Sequence, residues 1–157
     1  RSTRFAVMFG GHVQQLGTPK EIYDNPVNIF VAGFIGSPSM NLFPAKLAEG
    51  GGITCEIPEL AGFLEPAERA RAAGVANGSG DLLIGVRPEH LRIVAAGSAG
   101  AAEAEVNFVE PLGQTTNVYV KSGERSYIVV TDHTTVQIGD VIGVAALPDR
   151  VRLVALN

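Results

Sequence analysis

The sequence predicts a mainly β protein, a barrel or sandwich of short strands that follows a small α+β segment. Hydrophobic residues make up 46% of the 157 residues and charged residues 18%, which is typical of a globular chain with a buried core. After residue 41, short runs of β-forming residues follow one another and are separated by glycine-containing turns. Before residue 41, hairpin and helix signals occur instead.

The first 41 residues, which we call the tail, begin with a predicted hairpin. Residues 5–8 (FAVM) and 12–16 (HVQQL) are strand-like, and Gly10 and Gly11 between them tolerate the positive φ angles of a tight turn. A short helix is then predicted from Thr18-Pro19-Lys20-Glu21, because the threonine can cap it, proline suits its first turn and the glutamate completes a capping box.

A second tail helix is predicted to start at Asn25-Pro26, which repeats the signal of a cap followed by proline. Four apolar residues then recur at helical spacing and are predicted to form a core stripe: Val27, Phe30, Val31 and Phe34. Residues 37–41 (SPSMN) are predicted to be a linker.

Residues 42–157, which we call the β-domain, are predicted to contain nine strands and one helical interruption. The predicted strands are 42–48, 53–57, 82–86, 91–95, 104–109, 116–121, 126–131, 141–146 and 151–155. Residues 66–73 (PAERARAA) predict the helix, because proline starts it and alanine and arginine favour it. Residues 74–80 and 95–102 are predicted loops or turns, since they consist largely of glycine, alanine and polar residues.

The charge distribution argues against nucleic-acid binding. The formal net charge is −4, and residues 40–157 carry nine basic against fourteen acidic side chains. A groove for a single-stranded nucleic acid needs basic residues and stacking aromatic residues. We therefore expect no nucleic-acid partner.

The sequence predicts no catalytic, cofactor-binding or metal-binding residues in this chain. A P-loop has glycine directly before its lysine, whereas Lys20, Lys46 and Lys121 follow proline, alanine and valine. The three histidines lack the spacing of metal ligands, and Cys55, as the single cysteine, cannot form an internal disulfide.

Two groups of motifs resemble one family. In the tail they are residues 4–8 (RFAVM), 11–23 (GHVQQLGTPKEIY), 25–26 (NP), 30–36 (FVAGFIG) and 40–41 (MN). In the β-domain they are residues 84–91 (IGVRPEHL), 109–113 (VEPLG), 118–120 (VYV) and 139–143 (GDVIG). This series resembles the C-terminal part of ATP-binding subunits of maltose-type and glycerol-phosphate-type ABC importers. The likeness covers nearly the whole chain.

The resemblance implies that the tail (1–41) is the end of a nucleotide-binding domain and that residues 42–157 form an OB-like, TOBE-type regulatory barrel. The ATP and Mg²⁺ of such a subunit would bind before this region, so no cofactor is expected here. Implied partners are a second copy through the β-domain, the ATPase subunit, membrane permease subunits and a regulatory protein. The implied location is the cytoplasm, on the inner face of the cell membrane.

Six residues of these motifs are candidates for a structural or interface role: Arg87, Pro88, Glu89, His90, Gly113 and Tyr119. We interpret Arg87 and Glu89 as holding a strand end by hydrogen bonds, with Pro88 setting the turn, in preference to a contact with a partner domain. Gly113 is predicted to permit a bend or bulge in a strand, and Tyr119 to pack half-buried.

An alternative function is the binding of a small oxyanion, because related barrels in molybdate proteins bind oxyanions between subunits. The chain has no close match to the serine- and asparagine-containing signature of those barrels, and its β-domain is acidic. The transport-related interpretation is therefore preferred.

Overall fold

The tail folds as a β-hairpin followed by two short helices. The computed structural model describes residues 3–157, so residues 1 and 2 of the predicted tail lie outside the described residues. Strand β1 (Phe5–Phe9) pairs antiparallel with β2 (His12–Gly17), and the turn glycines have φ of 60° and 80°. Helix α1 (Pro19–Asp24) has the predicted capping box, in which Thr18 and Glu21 bond each other's backbone N–H groups.

The second tail helix starts later than the sequence predicts. Helix α2 (Ile29–Phe34) is capped by Asn28, whose side chain accepts from the N–H of Val31, because Asn25 instead ends α1. The predicted core stripe is therefore only partly correct. Val31 is fully buried, but Val27 and Phe34 are 46% and 66% exposed.

All nine predicted strands are present in the β-domain. They are β3 (Asn41–Leu47), β4 (Ile53–Cys55), β5 (Asp81–Val86), β6 (Leu91–Val94), β7 (Ala102–Pro111), β8 (Thr116–Ser122), β9 (Arg125–Thr131), β10 (Val141–Ala146) and β11 (Arg152–Val154). They form two antiparallel sheets, a five-stranded one in the order β6-β10-β7-β8-β9 and a four-stranded one in the order β11-β5-β3-β4. The mainly β fold class is thereby confirmed.

The helices of the β-domain differ from the prediction. The single helix predicted for residues 66–73 is two short ones, α4 (Pro66–Arg69) and α5 (Ala72–Val75), which are separated by a tighter turn in which Arg71 N–H donates to the Glu68 carbonyl. Helix α3 (Pro58–Gly62) was not predicted, although Pro58 and Glu59 in its first turn are start signals. The loop predicted to begin at residue 74 begins after α5.

One hydrophobic core lies between the two sheets. It joins residues of the four-stranded sheet, such as Phe43 and Ile84, to residues of the five-stranded sheet, such as Val118 and Val129. The Phe43 and Tyr127 rings meet edge to face across this core, with centroids 5.2 Å apart. Within residues 3–157, the helices are too short to span a lipid bilayer.

Asn41 connects the two sheets by imitating a strand backbone. From the start of β3, its Nδ2 donates to the carbonyl of Ile128 on β9 at 2.8 Å, and its Oδ1 accepts from the N–H of Ile128 at 3.0 Å. The Asn41 side chain is buried, whereas Ile128 is partly exposed, so both bonds are partly shielded from water. This pair fixes the end of the linker against β9, the edge strand of the five-stranded sheet.

Candidate functional site

Arg87 fastens the β-domain to the tail. It follows β5 directly, and its side chain is only 1% exposed. Its guanidinium donates to three tail carbonyls: Nη1 to Ile35 at 2.6 Å and to Ala32 at 3.3 Å, and Nη2 to Tyr23 at 2.9 Å. These carbonyls lie at the C-terminal ends of α1 and α2, where helix carbonyls have no partner within the helix. The arginine therefore satisfies both helix ends at once.

The Tyr23 ring and Gly36 also lie against the guanidinium of Arg87. The guanidinium carbon of Arg87 lies 4.1 Å from the centroid of the Tyr23 ring, a cation–π arrangement. Gly36 has φ of 104°, and a Cβ at this residue would lie 2.8 Å from Arg87 Nη1. Gly36 is thus needed both for its backbone conformation and for its lack of a side chain.

The electrostatics of Arg87 are those of a buried structural cation. Burial lowers the pKa of Arg87, and the negative charge of Asp24 opposes that shift. Arginine nonetheless keeps its charge in proteins, and here that charge is met by carbonyl dipoles and the face of Tyr23. Of the guanidinium nitrogens of Arg87, only Nε is buried without a hydrogen-bond partner among the described residues.

Further hydrogen bonds join the tail to β11 and to the residue that follows it. The Nε–H of Arg152 on β11 donates to the Asp24 carbonyl at 3.1 Å and to Asn25 Oδ1 at 2.9 Å. The N–H of Ile29 donates to the Ala155 carbonyl at 3.0 Å. The tail is therefore held at both α1 and α2, from two separate strands of the four-stranded sheet.

The other residues of the Arg87-Pro88-Glu89-His90 motif form a 3₁₀ turn, Pro88–His90. Pro88 is buried, and the exposed Glu89 accepts a hydrogen bond from the hydroxyl of Tyr23. His90 Nε2 lies 3.1 Å from Arg150 Nη1, and its Nδ1 is buried without a partner. Two members of the motif, Arg87 and Glu89, therefore contact the same tail residue.

Gly113 and Tyr119, the remaining two candidate residues, lie outside the group of residues around Arg87. Gly113 is in the turn between β7 and β8, with φ of 93°, and the bulge of β7 falls at Asn107 instead. The chain therefore bends at Gly113 as predicted, but in the connection between β7 and β8 and not within a strand. Tyr119 lies half-buried on the outer face of β8, where its hydroxyl donates to Glu110 Oε1 at 3.1 Å. Glu89 and Tyr119 line one surface cleft.

Sequence reasoning missed the tail side of this site. Tyr23 and Gly36 occur within recognisable motifs, but nothing in their spacing indicates a contact with a residue more than 50 positions later. The position of Arg152 in the sequence likewise gives no indication that it contacts Asp24 and Asn25. Within the described part of the chain, no cluster of three or more histidine, cysteine or acidic side chains is arranged to hold a metal ion.

Profiles of two domain families match the β-domain and the end of the linker. The MalK OB fold domain matches residues 36–91 and the TOBE domain matches residues 84–154. The two matches meet at the Arg87 motif.

Similar curated proteins are ATP-binding proteins of importers. The sn-glycerol-3-phosphate import ATP-binding protein UgpC of Ruegeria is 43% identical over 72% of this chain and 28% of its own length. The trehalose import ATP-binding protein SugC of Mycobacterium tuberculosis is 39% identical over 74% and 30%. The oligosaccharides import ATP-binding protein MsmX of Bacillus subtilis is 33% identical over 92% and 40%. The chain thus spans less than half the length of these relatives.

A solved structure shares the fold. The cytoplasmic molybdate-binding protein ModG aligns with a TM-score of 0.52 over 74% of this chain and 96% of its own, at 11% identity. At that identity the likeness concerns the fold alone.

Proposed function

We propose that this chain, as a member of the MalK OB-fold and TOBE-domain families, is the C-terminal regulatory and dimerisation portion of an ATP-binding subunit. That subunit would belong to an ABC importer for sugars or glycerol phosphate. The relatives that support this proposal are named as ATP-binding proteins for the import of glycerol 3-phosphate, trehalose or oligosaccharides. The tail would join the β-domain to a nucleotide-binding domain, and the β-domain would bring two subunits together.

The observation that carries the proposal is an apolar surface on the tail. Of the thirteen large hydrophobic residues that are exposed in the described chain, eight belong to the tail: Phe5, Met8, Phe9, Val13, Leu16, Val27, Ile29 and Phe34. A cleft of about 530 Å³ opens among Phe5, Met8 and Phe34. Exposed apolar groups so concentrated in one small segment are typical of a contact surface. A nucleotide-binding domain is the partner that the relatives' names support.

The hydrogen bonds between the tail and the β-domain would transmit movements from one to the other. Since Arg87 and Arg152 both hold the C-terminal end of α1 to the β-domain, a movement of the nucleotide-binding domain would carry the β-domain with it. The β-domain would then report the state of the nucleotide site to a second subunit or to a regulatory protein. The signal would pass through packed elements and not through a flexible linker.

ATP hydrolysis would take place in other parts of the assembly. ATP and Mg²⁺ would bind in the nucleotide-binding domain, because none of the three lysines here follows a glycine. The subunit would act on membrane permease subunits from the cytoplasmic face of the membrane. The chain would itself bind no cofactor and no nucleic acid.

The experiment is sedimentation velocity on the chain alone and mixed with the nucleotide-binding region of SugC, produced separately. We expect the chain to self-associate and to form a complex with that region. Phe34→Ser should abolish the complex without affecting self-association, whereas Ile138→Ser, at the same 66% exposure on the β-domain, should leave the complex intact. A chain that stays monomeric and binds nothing would contradict the proposal.

A further inference from the structure

Two surface clefts meet at Tyr119 on the outer face of the five-stranded sheet. One, of about 660 Å³, extends between the end of the linker at Ser39 and Asn107 of the β7 bulge. The other, of about 490 Å³, extends past Asn117 toward Glu89. Sites for small molecules commonly have volumes in this range. We call the two clefts together the Tyr119 groove.

The β7 bulge exposes an aromatic surface beside the groove. Because Asn107 has no partner of its own on β8, Phe108 pairs with Tyr119 and is 51% exposed. The Phe108 and Tyr119 ring centroids are 5.8 Å apart at an angle of 55°. Two adjacent rings offer negatively polarised faces, on which the C–H groups of a sugar ring can pack.

Fixed hydrogen-bonding groups lie next to these rings. Tyr119 Oη and Asn117 Nδ2 donate to the same Glu110 oxygen, Oε1, at 3.1 and 3.3 Å. Those two bonds orient the carboxylate, whose Oε2 has no partner among the described residues. A carboxylate held in this way accepts hydrogen bonds strongly from ligand hydroxyls. The amide of Asn107 and the hydroxyl of Ser126 line the other cleft and can both donate and accept.

The charge of the groove selects against anions. Among residues 3–157, no lysine, arginine or histidine lines either cleft, whereas Glu89 lines one of them and Glu110 accepts a hydrogen bond from Tyr119. A phosphate or molybdate would meet these carboxylates without a compensating cation. A neutral ligand with many hydroxyl groups has the complementary chemistry, since it can donate to the carboxylate and amide oxygens and also stack.

We infer that the Tyr119 groove is a binding site for a neutral saccharide of one or two rings. The residues that line the groove include neither the exposed apolar residues of the tail nor Arg87, so the inference does not depend on the proposed function. One wall is formed by residues 39–42, at the end of the linker from the tail. Bound sugar would therefore contact both the linker and the five-stranded sheet.

The test is an NMR titration of the ¹⁵N-labelled chain with trehalose, maltose and glucose, and in parallel with glycerol 3-phosphate and molybdate. We expect at least one neutral sugar to shift the amide signals of residues 107, 117, 119 and 126 at concentrations up to about 20 mM. Asn107→Ala should weaken that binding by about fivefold or more, as expected for the loss of a hydrogen bond. Gln137→Ala removes an exposed amide outside the groove and should leave binding unchanged.

Tyr119→Phe keeps the ring but removes the hydroxyl that orients Glu110. It should fold normally and bind the sugar less tightly, which separates a role in binding from one in folding. The inference is overturned if no neutral sugar shifts any groove signal, if only the anions do so, or if the shifts lie on another face. It is also overturned if Asn107→Ala and Gln137→Ala bind the sugar equally well.

Discussion

The guanidinium of Arg87 lies 4.1 Å from the ring centroid of Tyr23 and donates a hydrogen bond to the carbonyl of the same residue at 2.9 Å. Arg87 directly follows β5 of the β-domain, and Tyr23 belongs to the first helix of the tail, 64 positions earlier. Glu89 accepts from the hydroxyl of Tyr23, so both ends of this tyrosine are held. The tail and the β-domain should therefore unfold together.

Replacing Arg87 by alanine should destabilise the chain by about 2 to 4 kcal/mol, because three helix-end carbonyls lose their buried donor. Arg87→Lys should recover little, since an ammonium cannot reproduce the planar fork. Urea unfolding measures the change. Arg125→Ala is the control, because it breaks only the exposed pair with Glu56 and should cost at most about 1 kcal/mol. An Arg87→Ala chain with unchanged stability would show that the contact with the tail is not structural.

Gly36→Ala should destabilise the chain by about 1 to 3 kcal/mol. Its φ of 104° is unfavourable for alanine, and the new methyl group would lie 2.8 Å from Arg87 Nη1. Gly33→Ala is the matched control, since a Cβ there meets no atom within 4 Å and the residue is helical. Thermal unfolding should show a lower Tm for the first variant and an unchanged or raised Tm for the second. Equal effects would contradict the proposed geometry.

Asn41→Ala should cost about 1 to 2 kcal/mol, because the partly buried N–H and carbonyl of Ile128 lose their partner. Asn41→Asp should also destabilise the chain, since an aspartate oxygen cannot donate to the Ile128 carbonyl. Hydrogen exchange offers a local measurement. The amide of Ile128 should exchange faster in both variants, and unchanged protection would show that Asn41 does not hold β9.

The His90 side chain should make stability depend on pH. Burial lowers the pKa of His90 below its ordinary value of 6.5, and the nearby Arg150 acts in the same direction against the opposing charge of Glu89. The unfolded chain takes up the proton first as the pH falls, so this contribution to stability is present above about pH 6.5 and is lost toward the lowered pKa. We expect the free energy of unfolding to fall between about pH 7.5 and 5.5. His90→Gln should show a smaller fall, and an equal one would exclude His90 as the cause.

Local signals predicted most of the fold. The nine strands were predictable because β-branched runs and glycine turns are repeated in order, and α1 because its capping box lies within four consecutive residues. The start of α2 was predicted wrongly, since Asn25 and Asn28 are both suitable caps and only the end of α1 decides between them. The other two errors, the missed α3 and the single helix predicted in place of α4 and α5, concern segments of about one turn, where propensity is a weak guide.

The tail–β-domain contacts were not predictable in the same way. The sequence indicated that Arg87 makes hydrogen bonds that hold a strand end, whereas these bonds reach three carbonyls at the ends of the tail helices. The Tyr119 groove likewise arises from the β7 bulge, which places Phe108 on the outer face. Sequence spacing does not reveal such distances, because they depend on how the two sheets and the tail pack.

The most direct test of the proposed function is a chimera in which residues 1–157 replace the equivalent region of SugC. Trehalose uptake by cells that lack their own SugC is then measured beside ATP hydrolysis by the purified chimera. The proposal predicts that the chimera hydrolyses ATP and restores uptake, and that Phe34→Ser within it reduces both. A chimera that folds and hydrolyses ATP but restores no uptake would contradict it.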